Sequence, residues 1–217
     1  MAIASFTVFL LSSLVHLYAS AKSDKKLRAY TKGFILLGLL GWYCFSVGEV
    51  RSVVVAAILT SWLGDILLVG KGVKWFTAGG ISFMASHICF VLAYLPRVSF
   101  GAIPVWAVAA MAALYVTLVV LVFRGLRADL PKALFYPMFL YLLINGTMNC
   151  FAFYQLFTAV SAGTIITAIG ATQFFCSDSL LFYVRFKKNG KQKNHFWVML
   201  TYIASEFLIV QGLILLG

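Results

Sequence analysis

Of the six carboxylates in this 217-residue chain, three stand where an ionised group is out of place. Asp65 ("SWLGDILLV"), Asp178 ("FFCSDSLLFYV") and Glu206 ("TYIASEFLI") each fall inside a long apolar run. A charge at such a position costs at least about 2.5 kcal/mol in a membrane, even on lenient insertion scales. The other three have ordinary settings: Asp24 and Asp129 lie in basic stretches, and Glu49 is two residues from Arg51 at the end of a run. No Lys or Arg is expected inside an apolar run, so desolvation favours the protonated form of whichever buried acids are dry. A protonated carboxyl and an ionised carboxylate sharing one cavity are the equipment of acid-base hydrolysis. One donates a proton while the other orients or activates water.

Further polar residues form stripes at helical spacing. Tyr141, Asn145 and Asn149 follow i, i+4, i+8; Ser82 and Ser86 flank the approach to His87; Tyr202 stands four before Glu206. Each stripe is one helix face. Either hydrogen bonding between helices or a site lining accounts for Asn145 and Asn149, and His87 reads equally as a packed or a catalytic histidine. His16 and His195 read as structural or loop residues. A small residue, Gly64 or Ser177, precedes each central Asp and would let helices approach closely. Competing chemistries lack their motifs. There is no HExxH or HxxxH, and no GxSxG paired with a histidine. Gly79-Gly80 opens no phosphate loop, and Cys44, Cys89, Cys150 and Cys176 have neither zinc nor disulfide spacing. The expectation is a site with no metal and no cofactor.

The elements that must position these groups follow from composition. Hydrophobic residues make up 63% of the chain and charged residues 11%, against about one quarter charged in soluble domains. The fold class expected is all-α: a polytopic membrane protein forming one integral membrane domain over 1–217. Its apolar spans fall near 2–21, 33–50, 52–70, 75–95, 102–123, 133–155, 161–184 and 196–216. The first has no preceding basic region and reads as a retained helix rather than a cleaved signal. With eight spans, fifteen of the 17 Lys and Arg fall in odd-numbered loops, all but Arg51 and Arg97. The positive-inside rule then places both termini outside or lumenal. The net charge of +11 is explained by this loop bias and by anionic lipid, so no nucleic acid partner is expected. The third and seventh spans run in the same direction. Asp65 is six residues before Lys71 and Asp178 seven before Arg185, so both carboxylates are expected about 9–11 Å beneath the basic rim.

The segments around Asp65, "FMASHICFVLAY" around His87, "GATQFFCSDSLLFYVRF" around Asp178 and "TYIASEFLI" around Glu206 occur in an order that resembles the YhhN-like lysoplasmalogenases, over nearly the whole chain. This resemblance implies a membrane hydrolase that cleaves the vinyl ether of lysoplasmalogens to a fatty aldehyde and glycerophosphoethanolamine or glycerophosphocholine. It implies catalytic Asp65 and Asp178, without assigning which is the acid. His87, Tyr141, Asn145, Ser177, Tyr202 and Glu206 would support the site, and Lys71, Lys74 and Arg185, with Lys187 nearby, would form a head-group rim. The partners implied are a lysophospholipid, water and the bilayer: an inner membrane in a bacterium, the endoplasmic reticulum in a eukaryote. The chain departs from the family pattern at Glu206, where Gln is usual, and at Ser205, where Ala is. From the residues alone a small proton-coupled carrier stays open, with intramembrane acids as relay groups.

Overall fold

The computed structural model describes residues 1–187 and 195–217. Lys188, Lys191 and Lys193 of the seventh loop lie outside the described residues. The described residues hold eight α-helices and no strand: α1 (Ala2–Ala21), α2 (Lys25–Ser46), α3 (Ser52–Leu67), α4 (Val73–Tyr94), α5 (Val105–Leu126), α6 (Phe135–Thr158), α7 (Ala162–Phe186) and α8 (Phe196–Leu215). Six of them, all but α2 and α3, are long and apolar enough to cross a membrane. Helix α3 has 16 residues, and α2 spends its first two turns on Lys25, Lys26, Arg28 and Lys32.

The second helix corrects the expected boundaries. It begins at Lys25, eight residues before the apolar run at 33, because Asp24 caps it: the Asp24 side chain accepts from the backbone N–H of Lys26 at 3.0 Å and of Leu27 at 3.1 Å. An Asp at this position satisfies the orphan donors of the first turn and complements the helix dipole. Most of the expected first loop is therefore helix. At the other end of the bundle, Ser161 and Thr164 form a reciprocal capping box that starts α7.

Neighbouring helices close a ring. Going round it, α2 packs on α3, α3 on α4, α4 on α6, α6 on α7 and α7 on α8, and α8 returns to α1 and α2. Helix α5 stands outside the ring against α6 and α7. Close approach is needed where α3 meets α4. A Cβ on Gly64 would come within 2.6 Å of the Phe83 ring, and one on Gly79 within 2.8 Å of Leu68. These two glycines let the backbones meet, which fixes the rotation of α3 and aims Asp65, the next residue, inward. Helices α3 and α7 are not ring neighbours; their Asp side chains line one cavity in the interior instead.

Candidate active site

Asp65, from α3, and Asp178, from α7, line one cavity of about 80 Å³, together with Ser177, Tyr202, Phe76, Phe83, Leu68, Leu181, Val198 and Met199. Arg28, Lys32, Arg185 and His195 line its basic end. Both acids are buried, 2% and 5% exposed. Their surroundings differ in charge. Asp65 is neutralised: Lys32 Nζ lies 3.0 Å from one carboxylate oxygen, and the Tyr202 hydroxyl donates to the other at 2.9 Å. This corrects the expectation that no cation would reach the intramembrane acids. Lys32 is on α2, two turns in, and its four-carbon stem carries the ammonium to a site below the rim.

Asp178 takes only neutral donors within hydrogen-bond distance. The Tyr141 hydroxyl donates to Oδ2 at 2.5 Å and the Asn145 amide to the same oxygen at 2.7 Å. Oδ1 has no hydrogen-bond partner among the described residues. The stripe on α6 continues the arrangement: Asn149 donates to the Asn145 side-chain oxygen at 3.0 Å and accepts from Tyr115 at 2.9 Å. A chain of side chains thus holds the Asn145 amide pointed at Asp178, which fixes the orientation of its oxygen and nitrogen.

The remaining expected residues divide. His87 lies with Nε2 3.8 Å from Asp178 Oδ2, beyond hydrogen-bond distance, its ring packed edge-on against Tyr141 and Phe174. Ser177 donates to the Val198 carbonyl at 3.0 Å and so ties α7 to α8 at the cavity wall. Glu206 is fully buried one turn deeper than Tyr202 and does not line the cavity. Of the expected rim, Arg185 lines the cavity and Lys71 its wider mouth, whereas Lys74 is exposed and belongs to neither. Lys187 is engaged elsewhere, 3.3 Å from Asp129 and donating to the Gly125 carbonyl at 2.8 Å.

Sequence reasoning missed Lys32, Arg28 and His195. Their charge marks the first two as loop residues, and the signal that places them on a helix is Asp24 as its cap. His195, which reads as a structural or loop residue in the sequence, immediately precedes α8. Burial, with the charges of Arg28, Lys32 and Arg185 adding to it, pushes its imidazole down to about 4.

An apolar groove adjoins the cavity and shares Leu68, Phe76, Phe83 and Leu181 with it. It runs between α4 and α6 past Met84, Pro137, Met138 and Tyr141 to Ile81, which is exposed on the outer surface of the bundle. A chamber with two acids, a basic mouth and a lateral apolar groove thus lies inside a bundle whose helices mark a multi-pass membrane protein.

The sequence profile of the YhhN family matches residues 27–213, and the chain belongs to that family. Over 172 residues it is 33% identical to proteins named lysoplasmalogenase from Mycobacterium bovis and from Mycobacterium tuberculosis. The matched region is 76% of this chain, and the chain spans 62% of the length of those relatives. No solved structure matches it.

Proposed function

We propose that this chain hydrolyses the vinyl ether bond of lysoplasmalogens, with Asp178 as the acid and Asp65 as the carboxylate base. The observation that carries the assignment is the unequal partnering of two acids in one cavity. Asp65 has both oxygens engaged, one by an ammonium, and stays ionised. Asp178 has two donors on Oδ2 and an open Oδ1, the oxygen on which a proton can sit and face the cavity. The family and the names of the mycobacterial relatives support the substrate class.

A vinyl ether resists base and yields to protonation at its β-carbon. Asp178 gives its Oδ1 proton to that carbon, and the positive charge of the resulting oxocarbenium ion develops beside the Asp65 carboxylate. Water adds to the cation and Asp65 takes the proton it releases. In the hemiacetal, Asp178 accepts the hydroxyl proton as the aldehyde forms, while Asp65 returns its proton to the departing glycerol oxygen. Both carboxyls end as they began, and one water is consumed. Tyr141 and Asn145 hold Asp178, while Lys32 and Tyr202 hold Asp65. The alkenyl chain lies in the groove between α4 and α6. The chain forms a single domain of eight spans with both termini outside or lumenal.

The test is aldehyde release from lysoplasmenylethanolamine by the purified protein in detergent, with an ester-linked lysophospholipid as control and Asp178→Asn alongside. Release from the vinyl ether, absent in the variant while the fold is kept, is the expected result. Near-normal turnover by Asp178→Asn would remove the acid from the mechanism. Because hydrolysis needs no sealed compartments, a positive result in detergent also excludes a carrier as the sole activity.

A further inference from the structure

The basic end of the cavity holds cations that the fold itself does not neutralise. Arg28 from α2 and Arg185 from α7 line the same chamber as the two acids, and the His195 imidazole at the start of α8, pushed down to about 4 and therefore uncharged near neutral pH, lies beside them. Each of the six carboxylates of the chain has another partner or setting than these arginines. Asp65 pairs with Lys32 and Asp129 with Lys187. Asp24 caps α2, Asp178 takes Tyr141 and Asn145, Glu206 is buried deeper, and Glu49 is exposed in the turn between α2 and α3. Among the described residues neither arginine has a carboxylate within ion-pair distance, and residues 188–194 contain no acid. Two arginines line one chamber without a carboxylate partner, Arg28 half-buried and Arg185 exposed, and together they offer fork-shaped donors to an anion brought by the ligand.

Position fits that ligand. Arg185 is seven residues beyond Asp178 on α7, about 10 Å further toward the rim, and side chains on a helix lean toward its N-terminus, here toward Asp178. Its guanidinium lies 5.7 Å from the centre of the Phe76 ring, a contact that holds it at the wall shared by chamber and groove. In a lysoglycerophospholipid the phosphorus is five bonds from the ether oxygen at C1, a reach of about 6 Å at ordinary bond lengths. An ether placed at the two acids therefore puts its phosphate within range of a retracted arginine.

We propose that Arg28 and Arg185, with His195 beside them, form an anion subsite that binds the phosphodiester of the head group and sets the depth at which the ether bond enters the cavity. The subsite rests on the lysophospholipid reading above. It selects for phosphate-bearing lipids: Arg28 and Arg185 are binding residues and touch no reacting atom.

The experiment compares two vinyl ethers, lysoplasmenylethanolamine and the matching alkenylglycerol without phosphate, in the wild type and in Arg28→Gln, Arg185→Gln and Arg185→Lys. Loss of one charged hydrogen-bonding partner is expected to lower the ratio of kcat/KM values, phosphate-bearing over phosphate-free, by about 10- to 100-fold, through KM rather than kcat. Arg185→Lys, which keeps the charge and loses the fork, is expected to fall between. Glycerophosphoethanolamine should compete with substrate in the wild type and at least about tenfold less well in the glutamine variants. An unchanged ratio in both glutamine variants would overturn the subsite. Inhibition by inorganic phosphate as strong as by glycerophosphoethanolamine would overturn the head-group assignment in favour of a general anion site. If the wild type releases aldehyde from neither substrate, the catalytic reading has failed on its own. Calorimetric titration with glycerophosphoethanolamine still decides the subsite: binding weakened in the glutamine variants supports it, and equal or absent binding overturns it.

Discussion

Replacing Lys32 by Met tests whether the ion pair to Asp65 organises the cavity. The pair is nearly dry, with side chains 14% and 2% exposed and charges 3.0 Å apart. At an effective dielectric constant near 20 that separation corresponds to an attraction of about 5 kcal/mol, and stripping one partner from a buried pair costs roughly 3–5 kcal/mol. For a chain of this size the loss converts to a fall of about 6–20 °C in unfolding midpoint. Asp65→Asn strands the ammonium and carries a similar penalty. In Lys32→Met/Asp65→Asn both charges vanish together, so the losses are not additive and the double variant unfolds nearer the wild type than Lys32→Met does. Thermal unfolding of the four detergent-purified proteins, followed by intrinsic fluorescence, measures the cycle. Additive losses, or a Lys32→Met midpoint within about 2 °C of the wild type, would refute the reasoning, because either result means that Asp65 is not held by this cation.

Tyr141→Phe removes one of the two donors to Asp178 Oδ2 and leaves Asn145 alone; steady-state kinetics should show kcat down about 10- to 100-fold with KM little changed. Burial and the charges of Arg28, Lys32 and Arg185 push the His195 imidazole from its ordinary value near 6.5 down to about 4, so it is expected to be neutral at pH 6 and to take up a proton only as pH falls toward 4. Between those two values the unfolded chain binds the extra proton, and this group's contribution to stability is lost as the solution is acidified. Histidine-selective NMR checks the titration. Saturating glycerophosphoethanolamine, by adding a negative charge beside Arg28, Lys32 and Arg185, should move it upward.

A cavity common to Asp65 and Asp178 was legible in the sequence. Residue counts to the basic rim put Asp65 and Asp178 at one level, and the structure lines one cavity with both. The i, i+4, i+8 stripe of Tyr141, Asn145 and Asn149 also emerges as one buried face, since helical periodicity alone fixes which side chains share a side. Neighbour relations were not legible. In a membrane the outward and inward faces are both apolar, so nothing in the pattern says that α4 meets α6 while α5 stands outside. Lys32 was hidden for another reason: its charge marked it as loop, whereas the Asp24 cap begins the helix early enough to bring its ammonium to Asp65. Glu206 is the opposite case. Its type and its spacing from Tyr202 suggested a site, but it lies one turn too deep to face the cavity.

The chamber touches two media. Its basic mouth opens among Arg28, Lys32, Lys71 and Arg185, and its apolar groove leads sideways between α4 and α6. On the proposed reaction, a cut made where the two meet would divide an amphiphile into an oil-soluble aldehyde and a water-soluble phosphodiester, with the groove open to one and the basic mouth to the other. The fragments would separate by partition as soon as the bond is broken. Dilution into two immiscible solvents would then drive turnover forward and deliver the aldehyde to the lipid phase rather than to water.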